Sequence, residues 1–130
     1  MIRSYNHADI PQLVSLWSRT FQDPPELIQS FYDLLPYMGS CCVAEEAGRV
    51  LGMAHLLHGF TLLQPDRDPA TCGYLYAVAV EEEARGRGLG ADLSRFAAVL
   101  GNGQGAQLLC TLPAEESLYR WYADILSLNG

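Results

Sequence analysis

The spacing of apolar residues changes several times along the chain, and each change marks an element. "MIRSY" reads as a short first strand. Ile10, Leu13, Val14, Trp17 and Phe21 then recur at helical spacing, with Asn6 as a candidate N-cap. Beyond Pro24 and Pro25 the stripe returns at Leu27, Phe31, Leu34 and Leu35, and Pro36 with Gly39 is expected to stop it. "SCCVAEEAGRVLGMAHLLHGF" predicts two strands joined at "EEAGR", with glycine at the turn. "GYLYAVAV" (73–80) is a near-continuous run of β-formers, as in a strand covered on both faces, and predicts a central strand.

From Gly88 the period returns to helix, with Leu89, Leu93, Phe96, Ala97 and Leu100 on one face and Gly101 as the stop. "AQLLCTL" predicts a further buried strand. "PAEESLYRWYADILSLNG" predicts a closing helix striped by Leu118, Trp121, Tyr122, Ile125 and Leu126. The order β-α-α-β-β-β-α-β-α belongs to the α/β (α+β) class, a mixed central sheet flanked by helices.

Composition narrows the function. A chain of 130 residues fits one domain. Its 15 acidic against 8 basic residues give a net charge of −7, and every basic residue is arginine. A polyanion would be repelled over most of such a surface, so nucleic acid is not the expected partner. Cys41, Cys42, Cys72 and Cys110 form no CxxC pair and have no histidine at zinc-ligand spacing, so they are expected to be buried reduced thiols with no metal. "MIRSYNHADIPQ" lacks the apolar segment of a signal peptide, and no apolar run approaches the roughly 18 residues of a membrane span. A cytoplasmic protein without a membrane partner is the expectation.

Against this acidic background, "EEEARGRGLGADL" (81–93) stands out. A buried strand running through a glycine turn into a helix leaves unpaired backbone N–H groups at the positive end of the helix dipole, a site for phosphate. Gly86, Gly88 and Gly90 allow a close approach, and Arg85 and Arg87 can add charge-assisted hydrogen bonds. Walker and kinase loops both need a lysine, which this chain lacks. A dinucleotide fingerprint matches as Gly86, Gly88 and Ala91, but that motif normally opens the first βαβ unit of a longer fold.

Read as Arg85, Gly88 and Gly90, the pattern R-x-x-G-x-G following "LYAVAVEEEA" resembles the acetyl-CoA-binding motif of the GNAT N-acetyltransferase superfamily. Glu82 stands where that family often has proline, and the predicted element order is that of its fold. The resemblance implies acetyl-CoA as co-substrate. It places the pantetheine arm along Val78, Ala79 and Val80, and the pyrophosphate on the amides of Arg85, Gly86, Arg87, Gly88, Leu89, Gly90 and Ala91. The thioester would lie between "GYLYAVAV" and "AQLLCTL". A neutral amine, on a small molecule or a protein, would attack it directly, with an N–H near Val78 facing the oxyanion.

The family usually supplies an acid to the departing thiolate from a tyrosine on the last helix. Laid on "EESLYRWYADILS", its pattern selects Tyr122, with Tyr119 one turn earlier as the substitute, although Leu126 and Ser127 replace the usual G-F and Glu115 the usual asparagine. No general base stands out. Tyr74 and Tyr76 occupy strand positions where the family often has an acid, and His55 and His58 could titrate near neutrality, although a strand histidine is more often structural.

GNAT proteins generally continue with two further strands, and the chain is expected to lack them. That would leave "AQLLCTL" as an apolar edge, covered in a homodimer or by the rest of a longer protein. The competing reading keeps the fold and the cofactor site but not catalysis, as a CoA-binding regulatory module.

Overall fold

A computed structural model of the protein describes residues 1–63, 65–103 and 105–111. In it the strands are β1 (Ile2–Ser4), β2 (Gly39–Glu46), β3 (Arg49–Leu62), β4 (Ala70–Val80) and β5 (Leu108–Thr111). The helices are α1 (Ile10–Phe21), α2 (Pro25–Met38) and α3 (Leu89–Gly103). One sheet runs β1-β2-β3-β4-β5; its first four strands are antiparallel, and β5, reached through α3, lies parallel to β4. The mixed α/β architecture is as the periodicity predicted; β4, the strand expected to be central, lies between β3 and the short β5, and β3 holds the middle position among the described strands. The predicted closing helix and the question of further strands lie outside the described residues.

Local chemistry sets the boundaries. Asn6 caps a 3-10 turn, His7–Asp9, that leads into α1: its side chain accepts from the Ala8 N–H, and the Asp9 carboxylate accepts from the Asn6 N–H at 2.8 Å. The β2–β3 connection is a two-residue turn in which Ala47 and Gly48 have φ of 52° and 79°, the twist that suits a tight hairpin. Helix α2 corrects the expected stop at Pro36. The helix runs through that proline to Met38, and the Gly39 N–H donates to the Leu35 carbonyl. A proline so near the end removes one helical bond with less than a turn left to disrupt.

The strand period of two divides the core between the two faces of the sheet. On one face Leu13, Leu16 and Trp17 of α1, with Ile28, Tyr32 and Leu35 of α2, cover Cys41, Val43, Met53 and Ala79. On the other, Leu93 and Ala97 of α3 cover Cys42, Ala44, Ala54, Leu56 and Leu75. The neighbouring Cys41 and Cys42 therefore belong to opposite cores. Both thiols are buried, and burial pushes their pKa values up, that of Cys42 to about 12, so they stay protonated. Cys41, Cys42 and Cys72 are free and buried, as expected. Among the described residues no helix is long and apolar enough to cross a membrane.

Candidate active site

Strand β4 is interrupted where the site begins. Met53 pairs with Ala79 and His55 with Tyr76, so two steps on β3 face three on β4. This is a β-bulge, and Ala77 within it has φ of 48°. A non-glycine residue in that region costs about 1–2 kcal/mol, so its surroundings must hold it there. His55 does so. Its Nδ1 lies 3.1 Å from the Ala77 carbonyl, which can only accept, so Nδ1 carries the proton. Nε2 of the neutral ring then accepts from the Tyr32 hydroxyl at 2.8 Å.

The His55 ring is fully buried among Trp17, Phe31 and Tyr32, and burial lowers its pKa to about 4 despite bonds to the Ala77 and Tyr76 backbone. With both nitrogens engaged and no route to solvent, it is a structural clamp rather than a base titrating near neutrality. His58, the other histidine considered, is exposed towards the far end of β3.

Pairing of β5 with β4 is described from Cys72 opposite Leu108 to Leu75 opposite Thr111. Among the described residues, Tyr76–Val80 have β3 on one side and no strand on the other. Val78 and Val80 pack towards α3, while Ala79 is buried towards α1 and α2.

Beyond Val80 the three glutamates have separate tasks. Glu81 is buried and accepts two bonds from Arg19 of α1, at 2.6 and 2.9 Å, and this pairing holds its carboxyl below the usual range. Its N–H donates to the Leu51 carbonyl at 2.8 Å. Glu83 pairs with Arg49 of β3, while Glu82 is exposed at the start of a single 3-10 turn, Glu82–Ala84. The acidic run thus ties the end of β4 to α1 and β3.

The glycines then set the path of the chain. Gly86 and Gly88 have φ of 84° and 77°, with open space where a Cβ would stand, so backbone conformation rather than crowding selects glycine. Gly90 lies within the first turn of α3. Among the described residues, no backbone carbonyl accepts from the amides of Gly86 to Ala91; helical pairing begins with the Asp92 N–H donating to the Gly88 carbonyl at 3.1 Å. That row of donors ends at the N-terminus of a 15-residue helix, where the dipole favours an anion.

The two arginines of the turn have local partners. Arg85 Nε donates to the Val80 carbonyl at 3.2 Å, and Arg87 pairs with Glu46 of β2 at 2.5 Å, both groups being about half exposed. A pair so open to water can exchange its carboxylate for another anion. The structure thus brings Val78–Val80 and Arg85–Ala91 into one continuous stretch from the bulge to the helix. Tyr119 and Tyr122 lie outside the described residues.

Backbone amides without backbone acceptors between a bulged strand and a helix N-terminus, on a mixed sheet of this order, have the chemistry of an anion-binding α/β domain. The particular family follows from comparison. The model of the acetyltransferase (GNAT) domain family matches residues 1–123, so the chain belongs to the GNAT acetyltransferases, enzymes that use acetyl-CoA as co-substrate.

Solved structures share the fold at low identity. An acetyltransferase from Trypanosoma brucei is 20% identical, with a TM-score of 0.74 over 97% of this chain and 90% of that one. A predicted acetyltransferase from Clostridium acetobutylicum, solved with acetyl-CoA, is 19% identical, with a TM-score of 0.77 over 94% and 87%. An aminoglycoside 6'-N-acetyltransferase from Acinetobacter haemolyticus is 15% identical, with a TM-score of 0.79 over 97% and 89%. A search of curated proteins finds no match.

Proposed function

We propose that this chain transfers the acetyl group of acetyl-CoA to a primary amine by direct attack, on a small molecule or a protein. The observation that carries the reading is the row of backbone amides from Gly86 to Ala91 without backbone acceptors, ending at the N-terminus of α3. Such donors suit a pyrophosphate, and Arg85 and Arg87 add charge to its rim. Val78, Ala79 and Val80, on the side of β4 away from β3, would pair with the amide-bearing pantetheine arm.

In the reaction, the amine nitrogen forms a bond to the thioester carbon and the carbon–sulfur bond breaks. The amine loses a proton, and the departing CoA thiolate gains one. An N–H at the bulge near Val78 would face the oxygen as its charge develops, at no cost of reorganisation. Tyr122 is the proposed acid for the thiolate, with Tyr119 as its substitute, because phenol and thiol pKa values are close enough for transfer. A cytoplasmic location fits a co-substrate made inside the cell.

Calorimetric titration of acetyl-CoA tests the reading. Saturable binding is expected, weakened about tenfold or more in the Arg85→Ala, Arg87→Ala double variant. Absence of binding to the unaltered chain would overturn it. Release of free CoA thiol in the presence of a primary amine checks the transfer step. Tyr122→Phe is expected to lower that turnover by about 10²-fold or more while leaving acetyl-CoA affinity in place. Unchanged turnover would remove Tyr122 from the role.

A further inference from the structure

A cavity of about 330 Å³ opens between α1, α2 and β4, on the face of the sheet opposite α3, with Trp17, Asp23, Ile28, Phe31, Leu34 and Tyr76 among its walls. Three of these rings form one cluster: Trp17 and Phe31 have centroids 4.9 Å apart, and Tyr76 lies 5.7 Å from the first and 5.9 Å from the second. Among the described residues the single carboxylate in the lining is Asp23, on the short connection from α1 to α2.

That connection is fixed in place. The Trp17 Nε1–H donates to Asp23 Oδ2 at 2.9 Å, and the Ser18 hydroxyl donates to the Asp23 carbonyl at 3.0 Å. The carboxylate is therefore held against the rings by groups that neutralise none of its charge. Among the described residues no arginine or histidine forms an ion pair with it. The Tyr76 hydroxyl also faces this charge: burial and then Asp23 raise its pKa, so it remains a protonated phenol. A carboxylate with a spare oxygen is complementary to an ammonium group through a charge-assisted bond, and the ring cluster in the same cavity offers apolar surface to the body of the amine. Tyr76 directly precedes Ala77, so the cavity reaches the bulge at which the transfer is placed.

We propose that this cavity is the acceptor site and selects a primary amine with an apolar or aromatic body, its ammonium on Asp23 and its body among Trp17, Phe31 and Tyr76. The assignment as acceptor site rests on the acetyltransferase reading above. Its selectivity follows from the walls. A polyamine would bring further charges to a site whose described lining holds one carboxylate.

The test is calorimetry on the full chain with 2-phenylethylamine, the uncharged 2-phenylethanol and spermidine, each with and without CoA present. The amine is expected to bind about tenfold more tightly than the alcohol, as for loss of one charge-assisted hydrogen bond. Asp23→Asn, which keeps an acceptor for Trp17 Nε1, is expected to abolish that difference. Equal binding of amine and alcohol by the unaltered chain overturns the proposal without recourse to any variant, and so does spermidine binding as tightly as 2-phenylethylamine. Acetyl-CoA titrated into the same sample separates the two readings. Acetyl-CoA binding without an amine preference removes the acceptor proposal alone. An amine preference without acetyl-CoA binding supports the amine site and overturns the transfer reading.

Discussion

His55 shows at the residue scale how a polar group can hold a functional backbone in place. The bulge removes the Ala77 carbonyl from the β3–β4 ladder, and an unpaired buried carbonyl would be costly; the imidazole takes the place of the lost partner, and Tyr32 completes the chain. The cost appears as a pH dependence. The folded ring has a pKa of about 4 against an ordinary 6.5, so protons bind preferentially to the unfolded chain. His55 therefore leaves stability untouched above pH 6.5 and lowers it progressively as pH falls towards 4, by a total of about 3 kcal/mol. Nuclear magnetic resonance of the imidazole is expected to show a neutral Nδ1–H tautomer down to about pH 4. A ring that titrates near 6.5 in the folded protein would contradict this role.

Sequence reasoning counted His55 among residues able to titrate near neutrality and inclined to a structural role, but could not name its partners. Ala77 carries no mark of its positive φ, and Tyr32 lies off the stripe of Leu27, Phe31, Leu34 and Leu35 that marks α2. Trp17 and Phe31 were visible only as core stripes. The bond of Trp17 to Asp23 and the cavity that both share with Phe31 depend on how α1 and α2 meet.

Among the elements, the turn from β4 to α3 is where sequence spoke most directly. Glycines at positions 86 and 88 announce the positive φ values observed there, because no other residue adopts them as cheaply. Gly88→Ala is expected to destabilise the fold by about 1–2 kcal/mol, measurable by urea denaturation, and to weaken acetyl-CoA binding by bending the amides out of line. Retained stability together with retained binding would mean that the turn has an alternative path. The acidic run was less legible. The sequence assigns its glutamates no partners, and Glu81 and Glu83 hold Arg19 and Arg49 of other elements. Those pairings link positions far apart in the chain, which local pattern does not report.

At the scale of the whole molecule, the order of elements up to β5 followed from period alone, because each helix and strand has a face to bury and the sheet offers two. Assembly is a further expectation. Among the described residues β5 is the outermost strand beside β4, and Phe60, Leu62 and Leu63 are exposed where the β3–β4 ribbon projects. Exposed apolar side chains of this kind favour pairing with a second copy. Light scattering is expected to give a mass near twice 14.3 kDa, and a monomer at that single mass would rule the homodimer out.

The bulge in β4 also makes the strand a counting device. Upstream of it Leu75 belongs to the α3 side, and Tyr76 joins the rings of Trp17 and Phe31 on the other; downstream Val78 belongs to the α3 side and Ala79 to the other, an inversion of odd and even. Deleting one residue between Tyr76 and Ala79 would restore simple alternation and leave Ala79 and Val80 on their present faces, but it would remove the bulge and return the backbone there to the regular β3–β4 ladder. Side chains in this stretch can therefore vary in size more freely than the stretch can vary in length. For this enzyme the number of residues between ring cluster and glycine turn is itself part of the site.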